Sequence, residues 1–210
     1  ANMIASNGYA VTLWLRSEVR AASIRDSRKN SDYLPGYQLH SAMEVSTDLE
    51  QALAGAQTVF FAVPSSSFRE LAKRAFPFLN KDCVLVSTAK GIEAHSFMLP
   101  SEILEQEIPQ RSVGVISGPN LAREIAQFEI TATVIASENA ELCERIQTLL
   151  GSQYFRVYAN HDRYGVELAG ALKNIYAIVS GIAAAMAAGQ NTKSVVLTRS
   201  LAEMSRFAVH

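Results

Sequence analysis

The sequence has only two cysteines, Cys83 and Cys143, far apart and without a Cys-x-x-Cys pair. That spacing argues against both a zinc ribbon and a disulfide framework. Its four histidines, His40, His95, His161 and His210, are scattered without metal-ligand spacing, so no metal site is expected and they are read as surface residues. An excess of one charge is also lacking. Lys and Arg number 19 against 20 Asp and Glu, a formal net charge of −1, which leaves no basic footprint for nucleic acid. No apolar run is long enough to span a bilayer without small or polar breaks. The first residues, Ala-Asn-Met-Ile-Ala-Ser-Asn-Gly, show no basic n-region or cleavage site. The expectation is a cytoplasmic protein with no membrane span and no nucleic-acid partner. There is no internal repeat and no low-complexity tract.

What is present is core material. Of 210 residues, 49% are hydrophobic and 19% charged, with a mean hydropathy of +0.08. Such a composition buries a sizeable core and is unlike that of a disordered chain. The length suits one large domain, or one domain plus part of another.

In chain order, Ala1 to Asn7 reads as the end of a helix stopped by Gly8, followed by a buried strand at Val11–Leu15. Arg16 follows that strand, where an acidic residue would suit a ribose hydroxyl and an Arg suits a 2′-phosphate; a plain surface Arg is the alternative. Asn30 to His40 is a polar loop with Pro35 and Gly36, and its Tyr33 either meets a ligand or anchors the loop. Thr47-Asp48 caps a short helix to about Ala54. Gln57–Val63 is a second strand, ended by Pro64-Ser-Ser-Ser67, a turn or a ligand-facing edge. Phe68 to Ala75 reads as a helix and Val84–Thr88 as a third strand, leading into Ala89-Lys90-Gly91. A cation at that strand end draws phosphates to the crevice; a solvated loop lysine is the competing reading.

Ser96 to Gln106 reads as helical apart from Pro100, and Val113–Ser117 as a fourth strand. Gly118-Pro-Asn-Leu-Ala122 then opens a helix, a turn whose backbone N–H groups suit an anion or a carbonyl oxygen. A strand at Thr131–Ser137, a helix at Ala140–Leu150 and a short strand at Tyr154–Tyr158 follow. The alternation predicts an α/β domain with a largely parallel sheet over residues 1–161, with a boundary near Asn160-His161-Asp162. From 162 to 210 a helical domain begins, with a second helix after Gly189-Gln-Asn191.

The chain is organised around the helix expected at Gly165 to Ala184. Lys173 and Asn174 interrupt its apolar run, with Gly170, Lys173, Ala177 and Gly181 on one face. Small residues there allow close approach of another surface, and a partly dehydrated amine releases its proton more easily. The bland alternative is a lysine snorkelling to solvent.

Gly165-Val-Glu-Leu-Ala-Gly-Ala-Leu-Lys-Asn174 closely resembles the signature segment of bacterial NAD(P)-dependent glycerol-3-phosphate dehydrogenases. Tyr33-Leu-Pro-Gly36, Ala62-Val-Pro-Ser65, Lys90-Gly-Ile-Glu93, Ser117-Gly-Pro-Asn-Leu-Ala122 and Leu197-Thr-Arg-Ser-Leu-Ala-Glu-Met204 match in the family's order. The resemblance implies a Rossmann-like dinucleotide-binding domain followed by the start of an all-helical substrate domain. It also implies reversible reduction of dihydroxyacetone phosphate to sn-glycerol 3-phosphate with NAD(P)H, at the entry to glycerophospholipid synthesis. By this resemblance Lys173 is catalytic; Arg16, Tyr33, Pro64, Lys90 and Ala122 face the cofactor; and Lys90, Gly118, Asn120, Lys173 and Asn174 face the substrate. Arg16 tilts the cofactor expectation slightly toward NADP(H).

Two positions depart from the pattern. Asn120 stands where relatives often have Ser or Thr, and Gln190 where many have Asp. The resemblance places a G-x-G-x-x-G turn upstream and more helices downstream, including an Asp and a Ser-Arg-Asn segment for the substrate phosphate. None of these lies within residues 1–210, so a chain truncated at both ends is expected. An apolar helix surface left open there favours association, such as a homodimer. The competing readings are a related hydroxyacid or ketone reductase and a non-catalytic fragment.

Overall fold

A computed structural model of the chain describes residues 1–209; His210 lies outside the described residues. The elements alternate through an α/β half: α1 Asn2–Ser6, β1 Val11–Trp14, α2 Glu18–Ser27, β2 Met43–Ser46, α3 Leu49–Leu53, β3 Thr58–Phe61, α4 Phe68–Ala75, β4 Val84–Ser87 and α5 Pro100–Glu107. The chain continues through β5 Val113–Ser117, α6 Ala122–Ala126, β6 Thr131–Ala136, α7 Ala140–Leu150 and β7 Phe155–Asn160 into two long helices, α8 Arg163–Ala185 and α9 Gln190–Val209.

Local sequence explains most of these bounds. The Asn139 side chain accepts from Leu142 N to start α7, whose Leu142, Cys143, Ile146 and Leu150 are buried at helical spacing. Asp162 caps α8 in the same way, accepting from Gly165 N. β4 is buried along its whole length, as a strand covered on both faces must be. Alternation along it divides the core. Leu85 packs with Phe61, Phe68, Ile103, Leu104 and Ile108 on one face. Val84 and Val86 pack with Ile116, Ile135, Leu142 and Ile146 on the other. Phe68 is fully buried, and a side chain of that size contributes roughly 1.5–3 kcal/mol by leaving water.

Several expectations are corrected. α2 and β2, between Arg16 and Thr47, were not foreseen; α2 is polar with only Ala21 and Ile24 buried, and β2 is four residues long. The helix expected from Ser96 begins at Pro100, because His95 and Phe97 have positive φ and Pro100 occupies the first turn. β1 and β2 pair in parallel as their own two-stranded sheet, while the second sheet runs β3-β4-β5-β6-β7. Within it β5 and β6 are antiparallel, so the sheet is parallel on either side of one reversed pairing.

α8 is long and apolar enough to cross a membrane by length and composition, with a mean hydropathy of 1.4, but small and polar residues such as Gly170, Lys173, Asn174 and Ser180 break its apolar run as expected. Its first turns pack on β5, and Glu167, Leu168 and Gly170 are buried there. Of the small residues expected on its close-packed face, Gly170 meets Ser117 whereas Gly181 faces open space.

Candidate active site

The parallel strands bring their carboxyl ends to one edge, and the loops leaving them carry the expected residues. β3 leads to Pro64, β4 to Lys90, β5 to Gly118. The loops after β3 and β4 abut, since a Cβ on Gly91 would lie 3.0 Å from Ser65 Oγ. Gly118 presses equally hard on β6: a Cβ there would sit 3.1 Å from the Thr133 Cα and 3.2 Å from the Ala132 carbonyl oxygen. A side chain at 118 would need the β6 backbone to give by a few tenths of an ångström, so glycine suits this approach best.

Two lysines converge on this turn. Lys90 Nζ donates to the Gly118 carbonyl at 3.0 Å, and Lys173 Nζ reaches the same oxygen at 3.5 Å, the long end of a hydrogen bond. Lys173 is half-buried and comes from α8, whose close contact at Gly170 brings the helix against β5. Lys90 is exposed as a whole residue, yet its ammonium lies below its ordinary pKa. Partial loss of hydration is the larger cause, and the neighbouring Lys173 the next. An oxygen that gains negative charge beside this turn would meet two cations in a partly dehydrated crevice.

Asn120 sits beside them. Its Nδ2 donates to Thr133 Oγ1 at 2.9 Å, and Thr133 Oγ1 donates in turn to the Ser117 carbonyl at 3.0 Å. Asn120 Oδ1 is buried without a hydrogen-bond partner. Ala122 starts α6 and is exposed. Asn174 follows Lys173 but is exposed, and no hydrogen bond links its side chain to the Gly118 turn.

Arg16 and Tyr33 belong to a different part of the edge. Arg16 is exposed at the carboxyl end of β1, and Tyr33 is 67% exposed with the Arg20 guanidinium 4.9 Å from its ring centre. Arg20 also pairs with Asp32 at 3.4 Å. No hydrogen bond or ion pair joins this cluster to the lysines among the described residues. Gln190 opens α9, where its amide leaves no charge. A groove of about 490 Å³ between α8 and α9 is lined by Leu172, Val179, Val195 and Phe207, and neither lysine lines it. Among the described residues no three His, Cys, Asp or Glu side chains are grouped to hold a metal.

Two networks anchor the elements that carry the lysines. Arg69 on α4 forks onto Glu93, with Nε 2.8 Å from Oε1 and Nη2 2.7 Å from Oε2, and also bonds Glu107 at the end of α5. This holds the Lys90-Gly-Ile-Glu93 loop to two helices, and the guanidinium sets the Glu93 carboxyl down at about 2. The second network joins Glu167 on α8 to Ser101 on α5. Ser101 follows Pro100, so its backbone N–H is one of the free donors of the first turn. With the helix start expected at Ser96, Ser101 does not fall in the first turn and its free donor is not seen.

The alternating layers, the ligand edge at the strand ends and the trailing helices define a doubly wound α/β protein of the dinucleotide-binding type. Residues 1–143 match the family model for the NAD-dependent glycerol-3-phosphate dehydrogenase N-terminus, and residues 162–210 the model for its C-terminus. A glycerol-3-phosphate dehydrogenase [NAD(P)+] of Pseudomonas aeruginosa (strain LESB58) is 56% identical over 209 residues, covering 100% of this chain and 61% of the relative. One from Teredinibacter turnerae is 52% identical over 208 residues, covering 99% and 61%. The crystal structure of glycerol-3-phosphate dehydrogenase from Coxiella burnetii superposes with a TM-score of 0.93 at 34% identity, covering 99% of this chain and 64% of that one. The chain belongs to the NAD-dependent glycerol-3-phosphate dehydrogenase family, and it spans about three fifths of the length of these curated relatives (61%).

Proposed function

We propose that the complete protein interconverts dihydroxyacetone phosphate and sn-glycerol 3-phosphate with NAD(P)H in the cytoplasm, feeding glycerophospholipid synthesis. The observation that carries this reading is the convergence of Lys90 and Lys173 on the Gly118 turn. Membership of a glycerol-3-phosphate dehydrogenase family supports this substrate pair and an NAD(P) cofactor. The residues present suit such a cofactor: Arg16, Pro64, Lys90 and Ala122 follow β1, β3, β4 and β5, Tyr33 lies in the loop between α2 and β2, and Asn120 Oδ1 is a buried acceptor without a partner. Arg16, exposed beyond β1, suits a 2′-phosphate and favours NADP(H) slightly.

When bound, the nicotinamide supplies the hydride. Lys173 then gives its proton to the ketone oxygen as charge develops there, and takes it back from the hydroxyl in the reverse direction. Lys90 adds a second positive charge at the same oxygen, while the Gly118 carbonyl holds both ammonium groups in place. Gly118 and Asn120 line the substrate side, and Asn174 orients the substrate from α8. The domain division at residue 161 separates cofactor edge from substrate helices, and the apolar face of α8 and α9 suits a homodimer or further helices of the same protein.

The test is oxidation of NADPH by the purified complete gene product with and without dihydroxyacetone phosphate. Substrate-dependent oxidation abolished by Lys173→Met supports the reading. Near-normal turnover in a folded Lys173→Met protein would sink the role given to Lys173. Preference for a 2-keto acid would point to a related reductase instead.

A further inference from the structure

Glu167 is 3% exposed, a buried carboxyl that the proposed chemistry does not use. It accepts from Ser101 N, at 3.1 Å to Oε1 and 3.3 Å to Oε2, and from Ser101 Oγ. The Ser101 N–H belongs to the first turn of α5, where a carboxyl oxygen satisfies an otherwise free donor and lies at the favoured end of the helix dipole. Glu102 holds the same terminus by accepting from Leu99 N at 2.7 Å. One turn along α8 from Glu167, Gly170 meets Ser117; a turn further, Lys173 reaches Gly118.

The other ties at this end of α8 are less directional or more exposed. Arg163 pairs with Glu105 at 2.5 Å on a partner 47% exposed, and Leu168 packs by apolar contact, which tolerates sliding. The Ser101 bonds fix both distance and direction. We infer that Glu167 is a positioning residue: by bonding Ser101 it sets the register of α8 against α5 and thereby holds the Lys173 ammonium at the Gly118 carbonyl. The consequence for turnover rests on the role proposed for Lys173.

The groups facing Glu167 are Ser101 and Glu102 from α5 and Arg163 from its own helix. Burial, opposed by Ser101 and Arg163, raises its carboxyl to about 7, so both protonation states are populated near neutrality. A neutral side chain keeps the geometry, since one oxygen still accepts from Ser101 N while the other group donates to Ser101 Oγ. Glutamine should therefore replace Glu167, and alanine should not.

The experiment uses the complete protein with lysines reductively ¹³C-methylated, the Lys173 signal being assigned by its loss in Lys173→Arg. Glu167→Ala is expected to move the ¹³C-methyl shift of Lys173 and to lower kcat by about 10- to 100-fold, the range that a misplacement near 1 Å brings. The KM for NADPH stays within about 2-fold, because the cofactor edge is untouched. Glu167→Gln restores both the resonance and kcat to within about 3-fold. If Glu167→Ala does not fold, Ser101→Ala, which keeps the backbone donor, is expected to shift the Lys173 signal in the same direction. An unmoved Lys173 resonance in Glu167→Ala, or in Ser101→Ala in its place, overturns the inference. A moved resonance in a protein that turns over without Lys173 leaves the register role standing and overturns the functional reading alone.

Discussion

Gly170 of α8 lies so close to Ser117 at the end of β5 that a Cβ at 170 would come 2.5 Å from Ser117 Oγ. The neighbour is a single hydroxyl, with Ser117 Cβ a comfortable 3.6 Å away. Gly170→Ala therefore sets that clash against the gain of about 1 kcal/mol from replacing a helical glycine. In a Ser117→Ala background the clash is gone, and Gly170→Ala should stabilise by about 1 kcal/mol in urea unfolding. In the wild-type background the gain should shrink or reverse. Equal effects in both backgrounds would show that the contact does not constrain α8.

Lys90 loses proton affinity partly to Lys173. Removing that charge in Lys173→Met should raise the Lys90 pKa, read from the ¹³C-methyl shift of Lys90. A Lys90 titration unchanged in Lys173→Met would mean that the two ammonium groups are not coupled in solution.

Glu167 makes stability depend on pH in an unusual direction. Its folded pKa of about 7 lies above the ordinary value of 4.5, so between these limits the folded state binds more protons than the unfolded one. Its contribution is full below about 4.5, falls as pH rises toward 7 and does not recover above it. Glu167→Gln should remove this decline. Relative to wild type, it should gain about 1–3 kcal/mol of unfolding free energy between pH 5 and pH 8. A difference that is flat with pH would show Glu167 to be no more proton-hungry when folded than when unfolded.

Arg69 and Glu93 give the opposite sign. The Glu93 carboxyl sits at about 2, below its ordinary value of 4.5, chiefly through Arg69 and then Ser96. Its contribution is present above about 4.5 and is lost as pH falls through about 2. Glu93→Gln should lower Tm at neutral pH and loosen the Lys90 loop, seen as faster amide exchange from Lys90 to Glu93. Unchanged exchange would assign the Arg69 fork to α4 and α5 alone.

Much of this architecture was legible where local signals agree. The helices Phe68–Ala75 and Ala140–Leu150 match their expected bounds, because apolar spacing and, for the second, the Asn139 cap point to the same residues. α2 escaped notice because its burial rests on Ala21 and Ile24, too little to show against its charges. The reversed β6 could not be read from its own residues, since strand direction depends on which neighbour the chain returns to. Lys90, Gly118 and Lys173 were each marked in the sequence through resemblance, but their meeting at one carbonyl oxygen is a tertiary fact. The Ser101 partner of Glu167 depended on where α5 begins, which two positive-φ residues and Pro100 decide.

The central claim is that Lys173 serves as the proton donor beside Gly118. Its most direct test is kcat for dihydroxyacetone phosphate reduction by the complete protein as wild type and as Lys173→Met. Loss of a proton-transferring group should lower kcat by at least ~100-fold with NADPH affinity retained. A folded Lys173→Met enzyme with near wild-type kcat would contradict the account.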